Sequence, residues 1–189
     1  AGRRLCSLAS NMQDLTRLET GRLEPALTIA CLDGIVMERV RLAEATASGK
    51  GITIATEVAQ TPPMAFDPDL LARLLDNLLS NAVKFSPPRS KVRVDLRLLG
   101  NEAVVRVRDQ GPGILPEERM RLFKPFERLS ARPTAGEKSL GLGLAIAEGI
   151  AVAHGGRIWV ESEPGQGAAF CFALPANPDQ SLVCACACE

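Results

Sequence analysis

The sequence lacks an excess of charge of either sign. Its 22 lysines and arginines balance 22 aspartates and glutamates, so the formal net charge is zero. Without a global basic field, a chain does not attract nucleic acid or an anionic membrane. No apolar run reaches the roughly 18 residues that can span a bilayer, and no signal peptide opens the chain. We therefore expect a soluble chain with no nucleic-acid partner and no membrane insertion.

An initiating methionine is also missing, since the chain starts at Ala1 within a helical pattern. We therefore expect a piece of a longer protein, with one sizeable domain and an appendage in its 189 residues. Apolar residues recur three or four apart near the start, as in an amphipathic helix, at Leu5, Leu8, Met12, Leu15 and Leu18. The predicted parts are this helix within residues 1–25, a domain over 26–175 and a disordered tail over 176–189.

A disulfide framework is absent too. Three of the six cysteines occur singly in apolar segments, where a free cysteine acts as a small hydrophobe: Cys6, Cys31 and Cys171. The other three alternate in the tail, at Cys184, Cys186 and Cys188. Alternate thiols can bind a soft metal, but without a nearby histidine a disordered end is the favoured interpretation. We expect a reducing, cytoplasmic location for this piece, whether or not upstream segments anchor the longer protein to a membrane.

A strand in the middle of the chain ends at a carboxylate. Residues 103–108 are rich in valine and roughly alternate, which predicts a strand with one buried face. Asp109 follows, and Gly111 and Gly113 then allow a turn in which a ligand can approach the main chain. An acid held beside bare backbone suits recognition of an amino group on a flat ligand. An ordinary Asp-Gly surface turn is the alternative.

A leucine-rich helix carries a second group of polar residues. Asp67 as N-cap and Pro68 in the first turn predict its start. Asn77, Asn81 and Lys84 then fall four and three apart, so they share one face. An amide oxygen can bind Mg²⁺, which takes one or two protein oxygens beside phosphates and water, and the ammonium group can neutralise phosphate. An exposed polar helix face is the alternative.

A loop and a glycine-containing helix start form the third group. Residues 129–140 have little apolar content, which predicts a lid or a disordered loop. Gly141-Leu142-Gly143-Leu144 then opens a helix whose free amide donors favour phosphate. Neither a P-loop nor a dinucleotide fingerprint fits these spacings. The single histidine, His154, precedes two glycines at the predicted helix end, and we interpret it as a structural cap.

The remaining pattern predicts helices alternating with strands. Helices are expected at 33–47, from Pro68 to the prolines at 87–88, at 116–122 and from 141 to 154. Strands are expected at 27–29, 52–58, 91–98, 102–108, 157–162 and 168–174. The two strands around Gly100-Asn101 predict a β-hairpin that delivers Asp109.

Four motifs occur together in a fixed order: Asn77-x-x-x-Asn81-x-x-Lys84-Phe85, Asp109-x-Gly111-x-Gly113, Phe123-x-x-Phe126 and Gly141-x-Gly143-Leu144. Over residues 27–175 the chain resembles the catalytic ATP-binding domain of sensor histidine kinases, within the ATPase superfamily shared with heat-shock chaperones and type II topoisomerases. Residues 3–25 resemble the second helix of the kinases' dimerisation and phosphotransfer hairpin. The resemblance implies an α+β fold, a two-layer α/β sandwich whose mixed sheet carries helices on one face, preceded by one amphipathic helix.

The resemblance also implies roles for individual residues. Asn81 would hold Mg²⁺ with support from Asn77, Lys84 would reach phosphate and Phe85 would cover the adenine of ATP. Asp109 would accept a hydrogen bond from the adenine amino group. The other implied nucleotide-binding residues are Gly111, Gly113, Ile114, Arg128, Lys138, Gly141, Leu142, Gly143 and Leu144.

The sequence departs from the family pattern at three places. Lys138, Ser139 and Leu140 stand where a glycine-rich run is common, which changes the expected lid geometry. Ala168 replaces a common threonine and removes one hydrogen bond. The phosphoacceptor histidine belongs to a helix before residue 3, and His154 does not match its context.

The implied function is transfer of the ATP γ-phosphoryl group to a histidine and then to an aspartate of a response-regulator receiver domain. The full protein would form a homodimer through its helix hairpin. This piece would bind Mg-ATP without phosphorylating itself. A non-catalytic nucleotide-binding regulatory module and an anti-sigma-factor-type serine kinase are the alternatives. The apolar stripe along the predicted helix near the start of the chain favours the histidine kinase over the serine kinase.

Overall fold

In the computed structural model, the described residues are Thr16, 23–127, 130–131, 133–134 and 141–176. The helix expected near the start lies outside them except for Thr16, as do the three tail cysteines. Arg128 and Lys138, two of the expected phosphate contacts, also lie outside the described residues.

The domain is built from seven strands and four helices within the described ranges. In chain order they are β1 (Thr28–Ala30), α1 (Leu32–Ser48), β2 (Thr53–Val58), β3 (Met64–Phe66), α2 (Pro68–Phe85), β4 (Lys91–Leu99), β5 (Glu102–Arg108), α3 (Pro116–Arg119), α4 (Gly143–Ala153), β6 (Arg157–Ser162) and β7 (Ala168–Pro175). None of the described helices is both long and apolar enough to cross a lipid bilayer.

The main sheet has five strands in the order β2-β4-β5-β7-β6. β2 pairs with β4 in parallel, and the other three pairings are antiparallel, so the sheet is mixed. β1 and β3 form a separate antiparallel pair. One face of the sheet packs with α1, α2 and α4 around a single apolar core. This confirms the expected α+β fold with a mixed sheet and helices on one side.

Alternation along the strands assigns residues to the two faces of the sheet. In β4, Val92, Val94 and Leu96 are buried against the helices, whereas Arg93 and Arg97 point to the other face. Cross-strand ion pairs line that outer face, including Arg93 with Glu57, Arg106 with Glu161 and Arg157 with Glu102. Such exposed pairs contribute little stability each. Burial of the inner face therefore fixes the register, because a one-residue slip would expose the valines.

α2 begins where the sequence predicts. The Asp67 carboxylate accepts hydrogen bonds from Asp69 N and Leu70 N, both at 3.0 Å, and Pro68 opens the first turn. Five leucines on one side of the helix are buried in the core: Leu71, Leu74, Leu75, Leu78 and Leu79. Asn77 and Asn81 border this stripe, three and seven residues after Leu74, and are half-buried.

Two expected features differ in the structure. The helix predicted over 116–122 ends at Arg119, because Arg121 and Leu122 continue as turns with hydrogen bonds to residues three positions earlier. The three-residue strand β3, paired with β1, is absent from the expectations. It lies between Pro63 and Asp67 and is too short to show an alternating pattern.

Candidate functional site

Asp109 follows the last residue of β5 and is only 4% exposed. Its Oδ1 accepts hydrogen bonds from Gly111 N at 2.8 Å and from Ala168 N at 3.1 Å. Among the described residues no donor reaches Oδ2. Burial raises the pKa of the Asp109 carboxyl above its ordinary 3.8, and the two backbone donors act in the opposite direction. Oδ1 thus accepts hydrogen bonds from the protein backbone, and Oδ2 can accept one from a ligand.

Backbone contacts hold the turn that follows Asp109 in place. Gly113 has a φ of +75° and lies against the Glu163 carbonyl, so a side chain there would both strain the backbone and clash. A Cβ on Gly111 would stand 2.9 Å from Asp109 Oδ1 and 3.0 Å from the Phe85 carbonyl oxygen. Both glycines are therefore required by close approach between main-chain segments.

The turn between β6 and β7 clamps this segment from the other side. Ile114 N donates to Ser162 Oγ at 3.0 Å, and that hydroxyl donates to the Gly167 carbonyl at 2.7 Å. Gly165 N donates to the Pro112 carbonyl at 2.7 Å. Nothing in the sequence pattern indicates this role of Ser162 and Gly167, because Ser162 lies 48 positions from Ile114. The two glycines Gly165 and Gly167 were the feature of the sequence that could have indicated this turn.

Asn77 and Asn81 lie half-buried on α2, one turn apart. Asn77 Nδ2 is buried and has no hydrogen-bond partner among the described residues. A Cβ on Gly143 would stand 3.0 Å from Asn77 Oδ1, so this amide touches the start of α4. Further along α2, Lys84 Nζ lies 5.1 Å from the centroid of the Phe85 ring. An orphaned buried amide is costly unless a ligand or water pairs with it.

The N-terminus of α4 presents free backbone donors. Leu142 occupies the N-cap position without a side-chain cap, and the first intrahelical bond runs from Ile146 N to the Leu142 carbonyl. The amides of the first turn, Leu144 included, therefore lack helical acceptors and lie at the positive end of the helix dipole. Gly141, at φ +72°, accepts a hydrogen bond from Phe126 N at 3.0 Å. This bond closes the base of the expected lid segment.

A cavity of about 650 Å³ lies beside Asp109. Its lining residues are Phe85, Pro87, Gln110, Gly111, Pro112, Gly113, Leu115, Ser130, Ala131, Thr134 and Pro164. The volume falls in the range of about 300–1,000 Å³ that is usual for small-molecule sites. Asp109 is not one of the lining residues, but Gly111, which donates to its Oδ1, is. Asn77 and Gly143 form a second group beside the middle of α2, about 12 Å from Phe85 along the helix axis by the helical rise.

A profile of the family described as "Histidine kinase-, DNA gyrase B-, and HSP90-like ATPase" matches residues 66–178. The chain belongs to this ATPase family. The matched range contains both groups of site residues, from the helix with Asn77 to the turn that clamps Asp109. The described chain therefore contains an ATP-binding domain of this family.

Sequence relatives and solved structures support the same family assignment. The chain is 35% identical to the sensor-like histidine kinase SenX3 of Mycobacterium tuberculosis over 176 residues, which is 92% of this chain and 42% of SenX3. It is 34% identical over 177 residues to the adaptive-response sensory kinase SasA of Synechococcus sp., covering 92% of this chain and 46% of SasA. This ATPase domain therefore spans less than half the length of these relatives.

Full-length ShkA in complex with AMPPNP superimposes with a TM-score of 0.80 at 33% identity, over 92% of this chain and 36% of ShkA. The mycobacterial sensor histidine kinase MprB superimposes with a TM-score of 0.72 at 29% identity, over 80% of this chain and 99% of that structure. The fold of this ATPase-family domain is therefore that of histidine kinase catalytic domains.

The side chains present fit a nucleotide with a hard cation better than a protein-held metal centre. The described residues contain no group of three or more histidine, cysteine, aspartate or glutamate side chains that could hold a metal ion. The half-buried amides of Asn77 and Asn81 offer oxygen donors instead. Mg²⁺ commonly takes one or two protein oxygens and fills its other positions with phosphate and water.

Proposed function

We propose that this domain binds Mg-ATP and positions its γ-phosphoryl group for transfer to a histidine of a sensor kinase. The observation that carries the proposal is the buried Asp109 carboxylate, whose Oδ1 accepts from two backbone donors, whose Oδ2 has no donor among the described residues and whose neighbours Gln110 and Gly111 line the cavity. An exocyclic amino group of adenine is a donor that suits Oδ2. The Phe85 ring, which lines the same cavity, can cover the flat base.

The phosphates would lie beside the second half of α2, between Lys84 and the contact of Asn77 with the start of α4. The uncapped start of α4, with Gly141, Leu142, Gly143 and Leu144, supplies backbone donors for anionic oxygens. Asn81 would hold Mg²⁺, Asn77 would support it, and Lys84 would neutralise phosphate charge. Arg128 and Lys138 remain proposed phosphate contacts from the lid. A bound Mg²⁺ would neutralise charge on the phosphate oxygens, and the chain's own residues orient the nucleotide.

The acceptor histidine must come from outside this domain. Both ring nitrogens of His154 are used in structural hydrogen bonds, to Asp67 N and to the Ile150 carbonyl. We therefore propose an acceptor on the dimerisation hairpin of a longer homodimeric protein, followed by transfer to a response-regulator receiver domain. A cytoplasmic location fits the supply of ATP and the free cysteines Cys31 and Cys171.

Calorimetric titration with Mg-ATP tests nucleotide binding. We expect saturable binding by the wild type. Asp109→Asn should bind roughly ten- to one-hundredfold more weakly, because a hydrogen bond to a charged group contributes about 1.5–3 kcal/mol. Asp95→Asn makes the same charge change on the outer sheet face, where Asp95 pairs with Arg93, and should leave the affinity unchanged. Equal affinities of wild type and Asp109→Asn would place the adenine elsewhere.

A transfer assay tests the kinase step separately from binding. Wild-type domain and γ-labelled ATP would be mixed with the isolated dimerisation hairpin of a related kinase such as SenX3. We expect label on the hairpin only when the domain is present, and none on the domain alone. Binding without any transfer would support a regulatory nucleotide-binding module in place of a kinase.

A further inference from the structure

Lys50 connects three parts of the domain that are distant in sequence. It lies in the turn after α1, and its ammonium group donates to the Val83 carbonyl at 2.9 Å, the Lys84 carbonyl at 3.2 Å and Thr134 Oγ1 at 2.8 Å. The carbonyl groups belong to the last turn of α2. Thr134 belongs to the segment between Phe126 and Gly141. Neither the family motifs nor the site geometry above involves Lys50.

Thr134 is bound to the same helix end through its own groups. Its amide donates to the Lys84 carbonyl at 3.1 Å, and its hydroxyl lies 2.8 Å from the Ser86 carbonyl. The hydroxyl can donate its single proton to Ser86 while accepting from Lys50. A valine at this position could do neither, whereas a serine could do both.

The position of the charge is favourable on physical grounds. The last carbonyl groups of a helix have no intrahelical partner and lie at the negative end of the helix dipole. A cation that donates to them satisfies these acceptors with charge-assisted hydrogen bonds. Thr134 accepts a hydrogen bond from the same ammonium group, and this bond holds Thr134 at the end of α2. Lys50 therefore contacts the end of α2 and Thr134 at the same time.

This contact bears on the cavity because Thr134 and Phe85 line it together with Gly111. We infer that Lys50 is a positioning residue for nucleotide binding, which fixes Thr134 on the end of α2 and so holds one wall of the cavity before the ligand arrives. A wall ordered in advance reduces the ordering cost of binding. The inference rests on the proposed function, since it assigns Lys50 a part in that same site.

Mg-ATP titrations of matched variants test the inference. Lys50→Met keeps an unbranched side chain, one atom shorter, and removes the charge, and Thr134→Val keeps the shape and removes the hydroxyl. We expect each substitution to weaken Mg-ATP binding about tenfold. Because both substitutions remove one shared contact, the double variant should have the same affinity as the single variant that binds more weakly. Thr134→Ser and Lys91→Met, a charge removal on the exposed start of β4, should bind like wild type.

Amide hydrogen exchange of the free protein supplies a readout that general destabilisation would not give. In Lys50→Met the Thr134 amide should exchange at least tenfold faster, while the amide of Val105, in the centre of the sheet, should keep its wild-type rate. Wild-type affinity in Lys50→Met, or an unchanged Thr134 exchange rate, would overturn the inference alone. Absence of Mg-ATP binding by the wild type would overturn the proposed function and the inference together.

Discussion

His154 joins the end of α4 to the start of α2 through Asp67. Its Nε2 accepts a hydrogen bond from Asp67 N at 3.0 Å, and its Nδ1 donates to the Ile150 carbonyl at 2.7 Å. This pairing requires the neutral ring with its proton on Nδ1, since a protonated ring would present a donor to the Asp67 amide. The structural role that the sequence predicts for His154 is confirmed.

Stability should depend on pH through His154. Burial lowers the pKa of its imidazole below the ordinary 6.5, so the unfolded chain binds this proton at a higher pH than the folded domain does. The contribution to stability is complete above pH 6.5 and is lost as the pH falls toward the folded pKa. We expect urea denaturation to show wild-type stability falling below pH 6.5, and His154→Gln to lack that part of the decline. Parallel pH profiles would contradict this assignment.

Asp109→Asn should separate stability from binding. Burial raises the pKa of the Asp109 carboxyl, so its contribution to stability is complete below the unfolded value and is lost as the pH rises through the folded value. At neutral pH the ionised carboxylate therefore destabilises the free domain. An asparagine keeps an oxygen for Gly111 N and Ala168 N without the charge. Thermal unfolding at pH 7 should give Asp109→Asn a Tm no lower than wild type, while Mg-ATP binds roughly ten- to one-hundredfold more weakly. A lower Tm would show that the charge stabilises the turn.

Much of this arrangement could be predicted because it is locally encoded. The start of α2 follows from Asp67 and Pro68, and the hairpin that delivers Asp109 follows from the two-residue turn at Gly100 and Asn101. Local signals of this kind depend on neighbouring residues only.

The long-range contacts could not be predicted in this way. Ser162 meets Ile114 only because β6 and β7 return beside β5, and Lys50 meets Thr134 across 84 positions of sequence. Ala168 lacks the side-chain hydroxyl of the threonine that it replaces, but its contact with Asp109 does not use the side chain. Its backbone amide, which every residue except proline would supply, donates to Asp109.

Gly143→Ala should weaken nucleotide binding without harming the fold. A Cβ at this position would stand 3.0 Å from Asn77 Oδ1, so the amide must shift from the place where we propose it supports Mg²⁺. Alanine is otherwise favoured over glycine in a helix by about 1 kcal/mol. We expect Mg-ATP affinity to fall about tenfold, a loss of the order of one hydrogen bond to a charged group, with an unchanged or higher Tm.

Gly34→Ala is the matched control for that substitution. Gly34 lies exposed in α1, and a Cβ there would meet nothing within 4 Å. It should raise stability by about 0.5–1 kcal/mol and leave Mg-ATP affinity at the wild-type value. Equal affinities for both glycine variants would show that Asn77 does not have to hold its present position.

Ser162→Ala should loosen the turn beside Asp109 from a distance. The hydroxyl pairs with both Ile114 N and the Gly167 carbonyl, so alanine leaves two half-buried backbone groups without their partner. The expected loss of stability in urea denaturation is about 1–3 kcal/mol, with weaker Mg-ATP binding. Ser80→Ala removes a hydroxyl that bonds only within exposed α2 backbone and should change neither quantity by a measurable amount. If Ser162→Ala matched Ser80→Ala in both, the β6–β7 turn would not be what holds Ile114 in place.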